Sequence, residues 1–305
     1  MTRFHYENAT VLLAEPNAGV RAELKEALNG MGFGKIVDTG NLKGVQDFFW
    51  EEDVHLLIGE TTLAEGDLDS LIHQVRHQEF GHSPFVVVVA LISDNARAKS
   101  AIDAGADDVL LRPFTQENLC ARILKLTENR KRFVVTTDYI GPDRREKPRT
   151  EGMPAPLVEV PNPLQMGYCG KGGAKALRRA AQAALVRINR HKVERQAFQA
   201  HWLVERIAPA LKEGRALKEE GGAEMLDRLQ IVAKDLNRRV LGSSYAYAAF
   251  LCMTLVNTAE KLKESSGRFD LEDARLLDKL SKQILRACSP EQTGYLDDGE
   301  DAPDA

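Results

Sequence analysis

The sequence has few cysteines and no long hydrophobic run. Its four cysteines lie far apart in the chain, and none belongs to a CxxC or Cys/His cluster that would indicate a zinc site or a disulfide framework. The longest apolar run, residues 246–256, falls short of the ~20 residues that cross a bilayer, and the first residues lack the apolar core of a signal peptide. We therefore predict a cytoplasmic protein with no metal centre and no membrane attachment.

Basic residues are missing from one end of the chain. Residues 291–305 hold six of the 45 acidic residues and no Lys or Arg, so the net charge of −4 comes from this tail and the rest of the chain is close to neutral. This composition is typical of a solvated chain end. We predict that residues 290–305 are a disordered acidic tail.

Strand-like and helix-like patterns alternate five times between residues 10 and 130. The predicted strands are residues 10–14, 35–38, 54–59, 85–91 and 107–111. The fourth strand contains Val86–Val89, a continuous β-branched run that is typical of a strand covered on both faces, as in a parallel sheet. The alternation predicts an α/β fold with a doubly wound, five-stranded parallel sheet, in which reactive groups lie at the carboxyl ends of the strands.

Two stretches of this α/β region are specific enough to suggest a family. Residues 11–15 read VLLAE, and residues 104–114 read AGADDVLLRPF. On these residues, the segment 1–132 resembles the receiver domain of response regulators, the phosphorylatable module of two-component signalling. The resemblance implies a flavodoxin-like fold, and it does not extend beyond about residue 132.

The resemblance also implies where phosphoryl chemistry would occur. The two acidic positions that help to hold Mg²⁺ fall on Glu15 and Pro16, and the phosphoacceptor Asp falls on Glu60. Pro16 has no side-chain oxygen to offer a cation that prefers octahedral oxygen ligands. Glu60 is one methylene longer than Asp, and a shift of ~1 Å in a reacting atom can cost on the order of 100-fold in rate. We therefore expect weak Mg²⁺ binding at most and no resident cofactor.

The remaining positions of the family's site also differ from its pattern. The Ser or Thr that would contact the phosphoryl oxygens falls on Ala90, which has no hydroxyl, and the Lys falls on Arg112. The resemblance implies that the Arg112–Pro113 peptide bond is cis. Together these departures predict a degenerate site that is not phosphorylated in the usual way.

Arg112 suggests a second use for the same carboxylates. Its planar guanidinium can meet a carboxylate with two parallel hydrogen bonds. We expect a standing ion pair of Arg112 with Glu60 or Glu15 that holds the domain in one conformation. The alternative is that Arg112 points to solvent and Glu60 caps the next turn.

Residues 133–170 form a Pro-rich segment that we predict to be a linker. Within it, residues 138–145 read DYIGPDRR and combine two apolar side chains, a Gly-Pro pair and two arginines. One interpretation is a turn with a charged edge. The other is a docking segment that packs Tyr139 and Ile140 on a domain surface, with Arg144 and Arg145 beside them.

Residues 171–289 have helical periodicity and are predicted to form an all-α bundle. The predicted helices start at Lys171 and then cover residues 198–207, 223–241, 244–263 and 271–288, the last capped by Asp270. The first stretch is basic, with eight Lys or Arg against one acid between residues 171 and 195. A basic stripe is what nucleic-acid binding requires, but no helix-turn-helix spacing accompanies it, so we favour a solvated or partner-binding face.

A phosphotransfer role for this helical domain would need an exposed histidine. His191 lies between Arg190 and Lys192, as expected of a surface residue, and His201 beside Trp202 is typical of a packed side chain. Neither pattern indicates a nucleophile.

Two functions stay open on the sequence alone. The first is a bacterial pseudo-receiver response regulator that has no enzymatic activity and acts by protein–protein interaction. Its partners would be signalling proteins, such as a kinase, a regulator or another two-component protein, and a homodimer is also open. The second is a phosphorylatable response regulator whose helical domain binds nucleic acid.

Overall fold

The computed structural model describes residues 6–145, 155–168, 173–212, 221–264 and 271–289. It divides the chain into two compact units, Met1–Arg187 and Ile188–Ala305. The predicted acidic tail, the proposed cap Asp270 and Cys169 lie outside the described residues.

The first unit is built around strands and helices that alternate along the chain. They are β1 (Thr10–Ala14), α1 (Ala18–Gly30), β2 (Lys35–Thr39), α2 (Leu42–Glu51), β3 (Leu56–Glu60), β4 (Thr62–Leu63), β5 (Gly66–Asp67), α3 (Leu68–Arg76), β6 (Val87–Ile92), α4 (Ala96–Ala104), β7 (Asp108–Leu111) and α5 (Gln116–Glu128). The short strands β4 and β5 form a separate hairpin. The other five strands form one parallel sheet in the order β2-β1-β3-β6-β7.

This sheet confirms the predicted α/β fold, and its order is the flavodoxin-like one. Every residue of β6 is buried, as the continuous apolar run predicted. Polar caps begin several of the helices: the Asn17 carboxamide oxygen accepts from two amides of α1, and Asn41 and Thr115 do the same for one amide each of α2 and α5. The helices cover both faces of the sheet with two apolar clusters.

The segment predicted as a linker is largely folded as part of the first unit. It contains β8 (Phe133–Val135), β9 (Ile140–Pro142), β10 (Leu157–Val158) and α6 (Pro163–Tyr168), and its strands form an antiparallel sheet in the order β10-β8-β9. Leu164 is fully buried in the core formed with α1 and α5. The side-chain amide of Asn162 donates to the carbonyls of Leu126 and Thr127, at 2.8 and 3.0 Å, in the last turn of α5. The interpretation of residues 133–170 as a spacer is therefore corrected for the described part.

The second unit is helical, as predicted. Helix α7 (Gly173–Lys212) contains the boundary between the units and is followed by α8 (Gly222–Val240), a short 3-10 helix (Ala246–Ala248), α9 (Ala249–Glu264) and α10 (Leu271–Ala287). A single apolar core that includes Leu203, Leu229, Leu255 and Leu277 holds these helices together.

One helix prediction in this unit is wrong. Residues 198–207 were expected to form a helix of their own, but they continue α7 without a break. The polar residues Lys192 and Gln196, which precede residue 198, are almost completely buried in the continuous helix. No helix in the described part of the chain has both the length and the apolar character that a membrane span needs.

Candidate functional site

Three charged side chains meet at the carboxyl edge of the parallel sheet. Glu15 directly follows β1, Glu60 is the last residue of β3, and Arg112 directly follows β7. Arg112 Nε donates a hydrogen bond of 3.0 Å to Glu60 Oε2, and Arg112 Nη2 donates to Glu15 Oε2. The structure thus contains both of the ion pairs that were proposed as alternatives, and Arg112 does not point to solvent.

The cluster is well shielded on its acidic side. The side chain of Glu15 is 5% exposed and that of Glu60 is 13% exposed, whereas Arg112 is 27% exposed. The Phe114 ring lies beside the guanidinium, with 5.5 Å from the Arg112 Cζ atom to the ring centre, which is a cation–π distance. Glu15 Oε1 accepts from the backbone amide of Asn17 at 2.8 Å. Both oxygens of Glu15 are therefore engaged.

The residues at this edge do not fit a bound Mg²⁺ ion. A magnesium site needs carboxylate oxygens that are free to coordinate, and the guanidinium of Arg112 already occupies one oxygen of each carboxylate. Pro16 contributes no side-chain oxygen. Among the described residues, no group of three or more His, Cys, Asp and Glu side chains is arranged to hold a metal ion.

The other two positions implied by the resemblance lie at the same edge. Ala90 is completely buried in β6, where it is paired with Gly59 of β3 and Val109 of β7, and it offers only a methyl group. The Arg112–Pro113 peptide bond is cis, the form that the resemblance implied.

The DYIGPDRR segment packs on the first unit, in keeping with the docking interpretation. Ile140 is 1% exposed, and the Tyr139 hydroxyl donates to the Pro142 carbonyl at 3.1 Å. Burial raises the pKa of the Tyr139 phenol to about 12. Arg144 Nη2 donates to the backbone carbonyls of Ala106 and Asp107, at 2.9 and 3.0 Å.

Arg145, unlike Arg144, has its described partner within the segment itself. It pairs with Asp143 at 2.8 Å, two residues away, and this contact is local.

Close packing also constrains the surface that receives the segment: Gly105 has a φ of +100°, and a Cβ atom there would come within 2.8 Å of the Ile140 carbonyl oxygen. Glycine therefore suits this position on both counts.

Sequence reasoning missed a buried ionic cluster beneath this segment. Asp107 lies between Arg76 and Arg130, with nitrogen–oxygen distances of 2.9 Å in both pairs, and all three side chains are at most 3% exposed. Asp107 Oδ2 also accepts from the Val88 amide at 2.9 Å. The two guanidinium groups lie over the Phe133 ring of β8, at 5.2 and 5.0 Å from its centre.

Backbone carbonyls complete the coordination of both arginines in this cluster. Arg76 donates to the carbonyls of Gly105, Pro84 and Val86, and Arg130 donates to those of Phe85, Val86 and Pro161. Burial lowers the pKa of Arg76 to about 10, against the opposing effect of the Asp107 charge, so Arg76 stays protonated at neutral pH. The sequence contains one indication that Arg76 is buried. Arg76 falls four residues after Ile72, which places it on the apolar face of α3.

Part of the basic stretch of the second half of the chain is buried or engaged in contacts within the chain. Lys192 is fully buried, Arg190 lies 3.4 Å from Glu194, and Arg187 donates to the Glu159 carbonyl at 3.4 Å. His201 is half-buried, within the packed or half-buried setting that was predicted, with its ring nitrogen 3.2 Å from the Ser281 hydroxyl.

Comparison with known proteins bears on the first unit alone. The family model of the response regulator receiver domain matches residues 11–124. The probable chemotaxis protein CheY of Rhizobium etli is 26% identical over 117 residues, which cover 38% of this chain and 91% of that protein. The transcriptional regulatory protein GltR of Pseudomonas aeruginosa is 30% identical over 118 residues, which cover 38% of this chain and only 48% of that protein.

Among solved structures, the orphan response regulator HP1043 of H. pylori is similar at 22% identity, covering 38% of this chain and 93% of that one with a TM-score of 0.33. No family model recognises the helical region that follows. On the sheet order and the match over residues 11–124, this part of the chain is a response regulator receiver domain.

Proposed function

We propose that this protein is a pseudo-receiver regulator, which transmits signals by protein contact and is not phosphorylated at Glu60. The observation that carries the proposal is the position of Arg112, whose guanidinium binds Glu60 and Glu15 together. A fixed cation between the two carboxylates stands where a receiver would need a divalent ion and a phosphoryl group. The guanidinium of Arg112 thus compensates negative charge of Glu60 and Glu15 from within the chain.

The chemistry of the neighbouring residues supports the same conclusion. Phosphoryl transfer depends on positioning and on cations that neutralise the developing charge. Pro16 and Ala90 remove a carboxylate and a hydroxyl from the places where the family has them. Without these groups, Glu60 is a fixed negative charge and the chain has no enzymatic role at this edge.

The partners that fit this proposal are other signalling proteins, such as a kinase, a regulator or another two-component protein. A nucleic-acid-binding output domain is the competing function. The engagement of Lys192, Arg190 and Arg187 within the chain reduces the positive charge available to phosphates and favours a protein partner.

Isothermal titration calorimetry, which measures Mg²⁺-dependent binding of beryllofluoride to the protein, tests the proposal. We expect no saturable binding by the wild type. The variant with Pro16→Asp, Glu60→Asp, Ala90→Thr and Arg112→Lys restores the residue types of the family and is expected to bind. Incubation of both proteins with radiolabelled acetyl phosphate provides an independent readout of the same site.

Two results would contradict the proposal. One is Mg²⁺-dependent beryllofluoride binding by the wild type with an affinity close to that of the restored variant. The other is stable labelling of the wild type that disappears in Glu60→Gln. A salt-dependent gel shift with duplex DNA, combined with such labelling, would favour the nucleic-acid-binding alternative.

A further inference from the structure

A second acidic site lies in a cleft of about 450 Å³ between helices α3 and α4. Four acidic side chains line it, together with His73, Gln74 and two serines, and no Lys or Arg is among its lining residues in the described structure. The acids are Asp67, Asp69, Glu79 and Asp103. The cleft belongs entirely to the receiver domain and shares no residue with the Arg112 cluster.

Asp69 is the unusual member of this group. It lies in the first turn of α3 and is only 3% exposed, yet neither of its carboxylate oxygens has a hydrogen-bond partner in the structure. A buried carboxylate without partners is costly, because it loses its hydration and gains no replacement for it. Asp69 is thus an unsatisfied acceptor in the wall of an open cleft.

Among the described residues, no cation donates a hydrogen bond to Asp69. Burial raises the pKa of its carboxyl and the negative charge of Asp67 raises it further, whereas the Ser100 hydroxyl and the more distant positive charge of Arg97 lower it. Arg97 is the chain's own cation at the rim. It is directed to Asp67 at 3.5 Å and to the Thr62 hydroxyl at 2.8 Å, and not to Asp69.

The geometry narrows the class of ligand. No set of three His, Cys, Asp or Glu groups in the described residues is arranged to hold a metal, so a divalent ion does not fit the cleft. Both oxygens of the buried Asp69 carboxylate lack a hydrogen-bond donor, a pair of acceptors that matches the paired donors of a planar guanidinium. A guanidinium is also more weakly hydrated than an ammonium and is the cation that proteins use in desolvated pairs.

We propose that the α3–α4 cleft is a binding site for an arginine side chain of a partner protein, with Asp69 as the bidentate acceptor. Asp67, Asp103 and Glu79 add negative potential at the rim, which attracts a basic segment to the cleft. The site is separate from Glu60 and would function in a protein that is never phosphorylated there.

Backbone amide NMR of the full chain, titrated with the peptide Ac-Ala-Arg-Ala-NH₂, tests this proposal. We expect saturable shifts of the amides of residues 67–74 and 100–104 in the wild type. The citrulline peptide, which has the same shape without the charge, and the lysine peptide serve as ligand controls. We expect no saturation with citrulline and weaker binding with lysine.

Three variants distinguish binding of the peptide at Asp69 from nonspecific electrostatic attraction to acidic side chains. Asp69→Asn is expected to weaken binding of the arginine peptide at least tenfold, whereas Asp47→Asn removes an exposed acid on α2 and should leave it unchanged. Arg97→Ala removes the competing cation and is expected to tighten binding. If Asp69→Asn does not fold, Asp69→Leu replaces it, since apolar replacement of a buried charge is often tolerated.

The proposal is overturned if the arginine peptide causes no saturable shifts, or if Asp69→Asn binds it as well as the wild type does. Equal binding of the citrulline and arginine peptides would also overturn it. N-acetyl-argininamide is the probe for a free guanidinium: weaker binding than the peptide supports a protein side chain, and tighter binding would assign the cleft to a small molecule instead.

Discussion

Arg112 and Glu60 are joined by a hydrogen bond of 3.0 Å that crosses from the end of β7 to the end of β3, over the carboxyl end of β6. The same guanidinium reaches Glu15 at the end of β1. One side chain therefore connects the ends of three strands. We expect such a bridge to hold this edge of the sheet in a single conformation.

Removal of this bridge should destabilise the receiver domain. Arg112→Ala leaves two shielded carboxylates without their cation, and we expect a loss of about 2 kcal/mol, against about 1 kcal/mol for Glu60→Gln. Urea unfolding followed by Trp50 fluorescence in a Trp202→Phe background measures the change. Arg122→Ala, which breaks a half-exposed pair with Asp108, is the control and should cost less than about 1 kcal/mol. Equal losses for Arg112→Ala and Arg122→Ala would argue against the bridge.

Two neighbouring aspartates provide a matched test of the buried cluster. Asp107 lies between two buried arginines, whereas Asp108 pairs with a half-exposed one. We expect Asp107→Asn to destabilise the domain by about 3–5 kcal/mol, since it leaves two buried positive charges uncompensated. Asp108→Asn should cost no more than about 1 kcal/mol. The same fluorescence measurement compares them, and similar costs for the two substitutions would contradict the assignment.

The two arginines of the docking segment should differ in the same way. Arg144 donates to two carbonyls of the receiver domain, and Arg145 contacts only the nearby Asp143 among the partners described. We expect Arg144→Ala to accelerate amide exchange in β8 and β9 about tenfold, which corresponds to a loss of ~1.4 kcal/mol in local stability, and Arg145→Ala to leave it nearly unchanged. Hydrogen–deuterium exchange measured by NMR gives the rates. Faster exchange in Arg145→Ala alone would contradict the docking geometry.

The helical unit should lose stability in acid through Asp235. Burial alone would raise the pKa of this carboxyl, but the charges of Arg239 and Arg238 and the hydrogen bonds from Arg239 and Gln196 outweigh it and lower the pKa to about 2. A carboxyl with a lowered folded-state pKa contributes stability that is present above about pH 4 and is lost as the pH falls toward 2.

We expect this loss to amount to about 2 kcal/mol. Unfolding followed by Trp202 fluorescence in a Trp50→Phe background, between pH 5 and pH 2, measures it. Asp235→Asn should remove this part of the pH dependence, whereas Asp227→Asn, at an exposed pair with Lys263, should keep it. An unchanged pH profile in Asp235→Asn would exclude Asp235 as its source.

The parallel sheet and the carboxylate edge could be predicted because both depend on local patterns. The buried run of β6 and the boundaries of α4, Ala96–Ala104, follow from residues that are close together in sequence. Once the strands are parallel, Glu15, Glu60 and Arg112 must lie at one edge. That Arg112 binds both carboxylates at once could not be predicted, since each pair alone was equally consistent with the sequence.

The buried cluster could not be predicted, because it depends on contacts between residues that are distant in sequence. Arg76, Asp107 and Arg130 lie far apart in sequence, and each by itself resembles a solvated charge. Only tertiary packing brings them together and covers them with Phe133. The continuity of α7 was missed in the same way, because buried Lys192 and Gln196 have the polar composition of a loop.

The contacts of Phe133 and Asn162 determine how much of the chain the receiver domain needs in order to stay intact. A stop codon after residue 132 would remove the ring that two guanidinium groups share and the carboxamide that completes the last turn of α5. A gene fusion that transfers this receiver to another protein must therefore carry the codons through residue 168 to keep it intact. The segment that would have to be transferred is therefore longer than residues 11–124, which the family model matches.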